Sequence, residues 1–137
     1  MERFNVLLVD DETEFLETLA KRLSKRGLTI HTASNGGDAL SVIQKNKIDV
    51  TVLDVKMPGM DGIETLREIK NIDPIIEVLM LTGHADVEAA IAGMELGAFD
   101  YLMKPMAIDE LFYKLQDAYK KKRIQEEKIK KIEEIIG

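Results

Sequence analysis

Thr51-Val52-Leu53-Asp54-Val55-Lys56-Met57-Pro58-Gly59-Met60-Asp61-Gly62 is the stretch whose reading decides the fold. A strand over 49–53, apolar enough to be buried on both faces, delivers one carboxylate, Asp54, and then breaks. Pro58, Gly59 and Gly62 behind it force a tight, ordered loop. An acid held at the C-terminal end of a parallel strand lies where open α/β sheets place their ligands. Asp10, Asp11, Thr82 and Lys104 also stand at the ends of apolar runs, and the same geometry would gather them around Asp54.

Working outward, apolar runs and helical spacing alternate along the chain. Phe4 to Val9 reads as a strand and ends in Asp10-Asp11-Glu12. Thr13 to Arg26 has helical spacing, with Phe15, Leu16, Leu19, Ala20 and Leu23 on one face and Gly27 as its stop. Leu28 to Ala33 is a weaker strand, and Asp38 to Lys47 a short helix. Gly62 to Asn71 is a helix stopped by Asp73-Pro74. Ile75 to Leu81, Asp86 to Leu96 and Phe99 to Met103 then read as strand, helix and strand. From Ile108 onward the pattern is helical to the end. Five strand–helix units call for a parallel sheet covered by helices on both faces and joined by right-handed crossovers. For five strands the expectation is a flavodoxin-like α/β fold with order 2-1-3-4-5 and an extended C-terminal helix.

The 137 residues suit one domain, 45% of them hydrophobic and 32% charged, with a net charge of -6. That acidic balance argues against direct nucleic-acid binding. Without cysteine there is no disulfide framework, no thiolate metal site and no thiol nucleophile. Two histidines, His31 and His84, are too few for a histidine-rich zinc centre. His31 falls on the second strand and reads as structural or surface. No apolar run approaches the ~18 residues of a membrane span, and the start of the chain lacks the basic-then-apolar pattern of a signal peptide. A cytoplasmic location is expected.

With strands one and three adjacent, Asp10, Asp11 and Asp54 meet. Two carboxylates ~4 Å apart repel by roughly 4 kcal/mol at an effective dielectric of 20, so the site needs a proton or a cation. Few, hard oxygen ligands suit Mg²⁺, which keeps several waters and takes one or two carboxylates with a phosphate. Helix capping accounts for one Asp of the pair, not for two facing a third. An ammonium from Lys104 and a hydroxyl from Thr82 at the same edge can each bind a phosphoryl oxygen.

These residues carry a resemblance. Val9-Asp10-Asp11-Glu12, Leu53 to Gly62, Leu81-Thr82-Gly83-His84 and Gly97 to Pro105 resemble, in order and spacing, the receiver domain of two-component response regulators over about residues 3 to 118. The resemblance implies that Asp54 accepts a phosphoryl group from a sensor histidine kinase or a phosphotransfer protein. It implies Mg²⁺ held by Asp11 and Asp54, by Asp10 mostly through water, and by the backbone carbonyl of Lys56. Lys104 would pair with the phosphoryl group across a cis bond to Pro105. Thr82 and Tyr101 would be the switch pair, altering the face made by the fourth helix, fifth strand and fifth helix, and with it an output partner or dimerisation. Lys56 and His84, which flank the site, would tune the lifetime of the acyl phosphate. The implied activity is that of a phosphoacceptor with slow self-catalysed phosphorylation and dephosphorylation, not of a metabolic enzyme.

An aspartyl-phosphate phosphohydrolase would place a second acid two residues after its nucleophile, where this chain has Lys56. A binding module that keeps the fold without phosphorylation would not need all five site residues. The receiver reading divides the chain into a phosphoacceptor domain over 1–119 and a helical extension or linker over 120–137. The last helix, running on into this extension, carries a heptad seam, Ile108, Leu115, Lys122, Ile129 and Ile136, with Leu111, Ala118, Gln125 and Ile132, interrupted at Lys122 and Gln125. It therefore reads as a pairing helix for a homodimer, as a linker to an output domain of a larger transcriptional regulator, or as a fraying helix. Lys120-Lys121-Lys122-Arg123 reads as a solvated charge run.

Overall fold

The computed structural model describes residues 2–57, 59–83 and 86–137. Ten elements alternate: β1 (Asn5–Val9), α1 (Thr13–Lys25), β2 (Thr29–Ala33), α2 (Gly36–Lys45), β3 (Val50–Asp54), α3 (Gly62–Ile72), β4 (Glu77–Thr82), α4 (Val87–Glu95), β5 (Asp100–Met103) and α5 (Ile108–Ile136). All strand pairs are parallel, in the order β2-β1-β3-β4-β5. This is the flavodoxin-like sheet that the alternation predicts.

The boundaries shift for local reasons. Helix α2 starts at Gly36, earlier than its apolar spacing indicates, because Asn35 caps it by accepting the Asp38 N–H at 2.8 Å. Strand β4 starts at Glu77, not Ile75, because Asp73 holds Ile75 and Ile76 in a turn. Helices α1 and α4 are each followed by a glycine with positive φ, Gly27 and Gly97.

Side chains on a strand alternate between faces, and each face of this sheet is sealed by its own helices. Val6, Leu8, Val50, Val52, Leu79, Leu81 and Leu102 join α1 and α5 in one core. Leu7, Val9, Leu53, Val78 and Met80 join α2 and α3 in the other. The central strands β3 and β4 are buried along their whole length. A sheet covered on both sides leaves the strand ends as the places where polar groups can collect.

Candidate functional site

Register alone brings the acids together. Val9 pairs with Leu53, so the next residues, Asp10 and Asp54, face each other across the ends of β1 and β3. Both continue the alternation of the core beneath α1 and α5, and so does Lys104, two residues past Leu102. Thr82 and Tyr101 have the opposite parity, on the side of α3 and α4, where Tyr101 packs half-buried against the second core. The sequence-predicted residues thus form two groups on opposite faces of one sheet edge.

Asp10, Asp11 and Asp54 each offer an oxygen, and these oxygens lie within 4.8 Å of one another. Asp10 and Asp54 are buried, while Asp11 is exposed. Asp10 Oδ1 accepts the Glu12 N–H at 2.9 Å, and its Oδ2 accepts from Lys104 Nζ at 2.8 Å. Lys104 Nζ is also 3.5 Å from Asp54 Oδ2 and 3.7 Å from Glu12 Oε1. The peptide bond between Lys104 and Pro105 is cis.

The electrostatics leave Asp54 undersatisfied. Burial, then the charge of Asp10, push its carboxyl up from 3.8 to about 6; Lys104 and the Lys56 N–H, at 3.2 Å, pull it down, and Asp11 pushes it up again. Burial alone would lower the Lys104 ammonium. The hydrogen bond and charge of Asp10, with the charges of Asp54 and Glu12, outweigh burial and hold it above its ordinary value. One lysine is thus shared among three acids, and of the two buried ones Asp54 holds the longer contact.

Thr82 is buried, and its hydroxyl donates to the Gly83 carbonyl at 3.1 Å rather than facing Asp54. Lys56 is exposed and lines the cleft beside Asp54. His84 and Pro58 lie outside the described residues. His31 is half-buried on β2, away from the cleft.

Sequence reading assigned no role to three neighbours. Glu12 stands beside Lys104, Asp86 lines the cleft, and the Phe15 ring lies 4.6 Å below the Lys104 ammonium. Glu12 had a signal, a third acid in the run after β1. Phe15 had a weaker one, its place one helical turn after Asp11. Gly62 has a role beyond its turn: a Cβ there would fall 2.5 Å from the Asp54 carbonyl oxygen. The first turn of α3 therefore packs directly on the backbone that carries Asp54.

Comparison with known proteins gives the arrangement its family. The response regulator receiver domain family model matches residues 6–116. NtrC of Salmonella typhimurium, a DNA-binding transcriptional regulator, is 41% identical over 110 residues, which are 80% of this chain and 24% of NtrC. Among solved structures, a response regulator receiver domain protein from Clostridium thermocellum superposes with a TM-score of 0.86 at 37% identity, covering 89% of this chain and 98% of that one. A structure described as adenylate cyclase from Rhodopirellula baltica gives 0.91 at 30% identity, covering 96% and 98%. Parallel order, acid cluster and matched sequence agree: this chain belongs to the response regulator receiver domain family, a signalling domain of two-component systems, and is related to NtrC-type regulators.

Proposed function

We propose that the chain is a working phosphoacceptor, in which Asp54 takes a phosphoryl group from a phosphohistidine of a sensor kinase or phosphotransfer protein. The observation that carries this reading is the gathering of three carboxylates within 4.8 Å, two of which, Asp10 and Asp54, share one lysine. An oxygen of Asp54 attacks phosphorus in line. The P–N bond to the donor imidazole breaks, and its electron pair returns to the ring nitrogen. The transition state is loose and spreads charge over the equatorial oxygens. Lys104 is placed to follow that charge, because its 3.5 Å contact with Asp54 leaves it able to turn from Asp10 to the incoming group.

The donor set fits Mg²⁺: hard carboxylate oxygens, few in number, open to solvent through Asp11. Asp11 and Asp54 would hold the ion directly, Asp10 mostly through water, and the Lys56 carbonyl would complete the set. Bound there, the ion would offset the crowded negative charge and stabilise the phosphoryl oxygens electrostatically. Thr82 would rotate its hydroxyl from the Gly83 carbonyl to a phosphoryl oxygen, and Tyr101, on the same face, would move inward. Ile91, Met94 and Tyr113 are exposed on the α4 and α5 side of that face, where partners would be exchanged. Lys56 and His84 would tune the acyl-phosphate lifetime. Among the described residues no helix is long and apolar enough to cross a membrane, in keeping with a kinase partner met in the cytoplasm.

The chain spans 24% of NtrC, so output belongs to segments or partners outside the receiver. We place this receiver in a larger NtrC-like transcriptional regulator, or as a dimerising unit that acts through α5. Measuring the oligomeric state with and without beryllium fluoride in Mg²⁺ separates the two. A dimer formed only with the mimic favours the second; a monomer throughout favours the first. Phosphorylation itself is read by intact mass after treatment with acetyl phosphate and Mg²⁺. One phosphoryl group should be gained by the native chain and none by Asp54→Asn; equal gain in both sinks the assignment.

A further inference from the structure

The opposite end of the sheet holds charges that phosphoryl transfer does not use. Asp49 and Lys122, 73 residues apart in sequence, are both buried, at 3% exposure each, and Lys122 Nζ donates to Asp49 Oδ1 at 2.5 Å. The other oxygen, Asp49 Oδ2, accepts the Asn5 N–H at 2.8 Å. The residues on either side of Lys122 also find acids. Lys121 Nζ is 3.5 Å from Glu77 Oε2, an oxygen that is buried and accepts no hydrogen bond among the described residues. Arg123 pairs with Glu2 and, at 3.5 Å, with Glu127. Three consecutive cations therefore reach the N-terminal ends of three strands: Glu77 opens β4, Asp49 precedes β3, and Glu2 precedes β1.

This corrects two sequence expectations. The run Lys120 to Arg123 is not simply a solvated face, because Lys122 is buried and its two neighbours are paired. Lys122 is also not an interruption in a free-standing seam. Leu111, Leu115, Ala118 and Lys122 are buried in steps of four, three and four, so Lys122 ends the stripe that seals α5 to the sheet. The same stripe continues through Ile129, Ile132 and Ile136, which are exposed.

We propose that Lys121, Lys122 and Arg123 form a clasp on the base of the sheet that makes α5 part of the receiver as far as about Glu126 and fixes the direction in which the tail leaves it. The proposal is independent of phosphoryl transfer, since none of its residues lines the cleft at Asp54. The buried pair carries most of the effect. Exposed pairs such as Arg123 with Glu2 contribute little, whereas removing one member of a buried pair strands the other charge without a partner. The Lys122 stem packs as an apolar chain while its head is matched, which is how a lysine can end a stripe of leucines. Burial alone would lower its ammonium. The hydrogen bond and charge of Asp49, with the charge of Glu126 at 3.4 Å, outweigh burial and keep it protonated.

The test is a double-mutant cycle on the full chain, read by amide hydrogen exchange resolved over residues 119–126. Lys122→Met keeps the stem and removes the charge; Asp49→Asn keeps the acceptor for Asn5 and removes the counterion. Each single variant is expected to lose about tenfold in protection over 119–126, and the double variant to lose no more than the worse single one, because the two residues act as a pair. Lys122→Arg, which retains the charge, should keep protection within about threefold of the native chain. Unchanged protection in Lys122→Met overturns the proposal, and so do losses that add in the double variant. Because exchange is compared with that over 108–118 in the same molecule, general destabilisation registers as a uniform loss and also counts against the clasp.

Discussion

Strand β3 is bounded by two buried carboxylates that the protein treats in opposite ways. Asp49, at the lower end, is matched on both oxygens, by the Asn5 N–H and by Lys122. Asp54, at the upper end, faces two other acids, Asp10 and Asp11, and shares one lysine with Asp10. The same residue type, buried at both ends of one strand, is matched in one place and left short of positive charge in the other. The difference lies in whether the positive charges present equal the negative ones. A carboxylate whose needs are met within the fold has nothing to offer a ligand; one left short is a place for chemistry.

The comparison can be broken at its lower end first. Asp49→Ala leaves Lys122 buried with only the half-exposed Glu126 as counterion and should cost up to about 3–5 kcal/mol, read by urea unfolding at neutral pH. A loss below about 1 kcal/mol would mean that the base is not held by this pair. The upper end should respond with the opposite sign. In metal-free protein, neutralising Asp54 removes a strained charge, so Asp54→Asn should gain stability at pH 8.

That gain has a definite pH course. The folded carboxyl titrates near 6 and the unfolded one near 3.8. Holding it ionised in the folded state therefore costs at most about 3 kcal/mol above both values, at about 1.4 kcal/mol per unit, and less once solvent screening is allowed for. The cost shrinks as pH falls through 6 and is gone below 3.8, so the advantage of Asp54→Asn should fade over that window. If the carboxylate set holds Mg²⁺ as proposed, saturating Mg²⁺ should reverse the ranking, because a ligand that binds only the folded state stabilises it. A pH-independent gain would place its origin outside the titration of Asp54.

Smaller effects sharpen the picture of the upper end. Gly62→Ala drives a Cβ against the Asp54 carbonyl oxygen and should cost about 1–3 kcal/mol, with a matching loss of phosphorylation by acetyl phosphate. An alanine that costs nothing would show that the turn onto α3 yields freely. Phe15→Leu removes the ring under Lys104, 4.6 Å from its centroid. Such contacts are worth about 0.5–1 kcal/mol at partly exposed sites, so phosphorylation should slow by roughly twofold to fivefold. Phe15→Tyr should restore it, and equal rates for leucine and tyrosine would remove the ring from the account.

Most of the upper end can be read from the sequence, because it is built from strand ends. Alternating patterns place Asp10, Asp54, Thr82 and Lys104 at one edge before any contact is known, and parallel order then makes them neighbours. The orientation of the Thr82 hydroxyl toward Gly83 is not legible, since residue type does not set a rotamer. Nor are Phe15 and Glu12 as neighbours of Lys104, which depend on how α1 settles on the sheet. The lower end is nearly invisible in sequence. Asp49 sits inside an apolar strand signal, and Lys122 sits in a basic run, with 73 residues between them. Local pattern puts Asp49 in a buried strand and Lys122 on a solvated face, and only tertiary packing joins them.

Helix α5 is a single 29-residue rod gripped at its middle. Ten residues of the helix lie beyond Glu126, a free arm of about 15 Å at 1.5 Å per residue. A tilt of about 10° at the grip would sweep its tip through roughly 3 Å, about half the 5.4 Å of one helical turn. Leverage of this kind would let an adjustment too slight to disturb close packing at the sheet displace whatever the isoleucines at the far end engage.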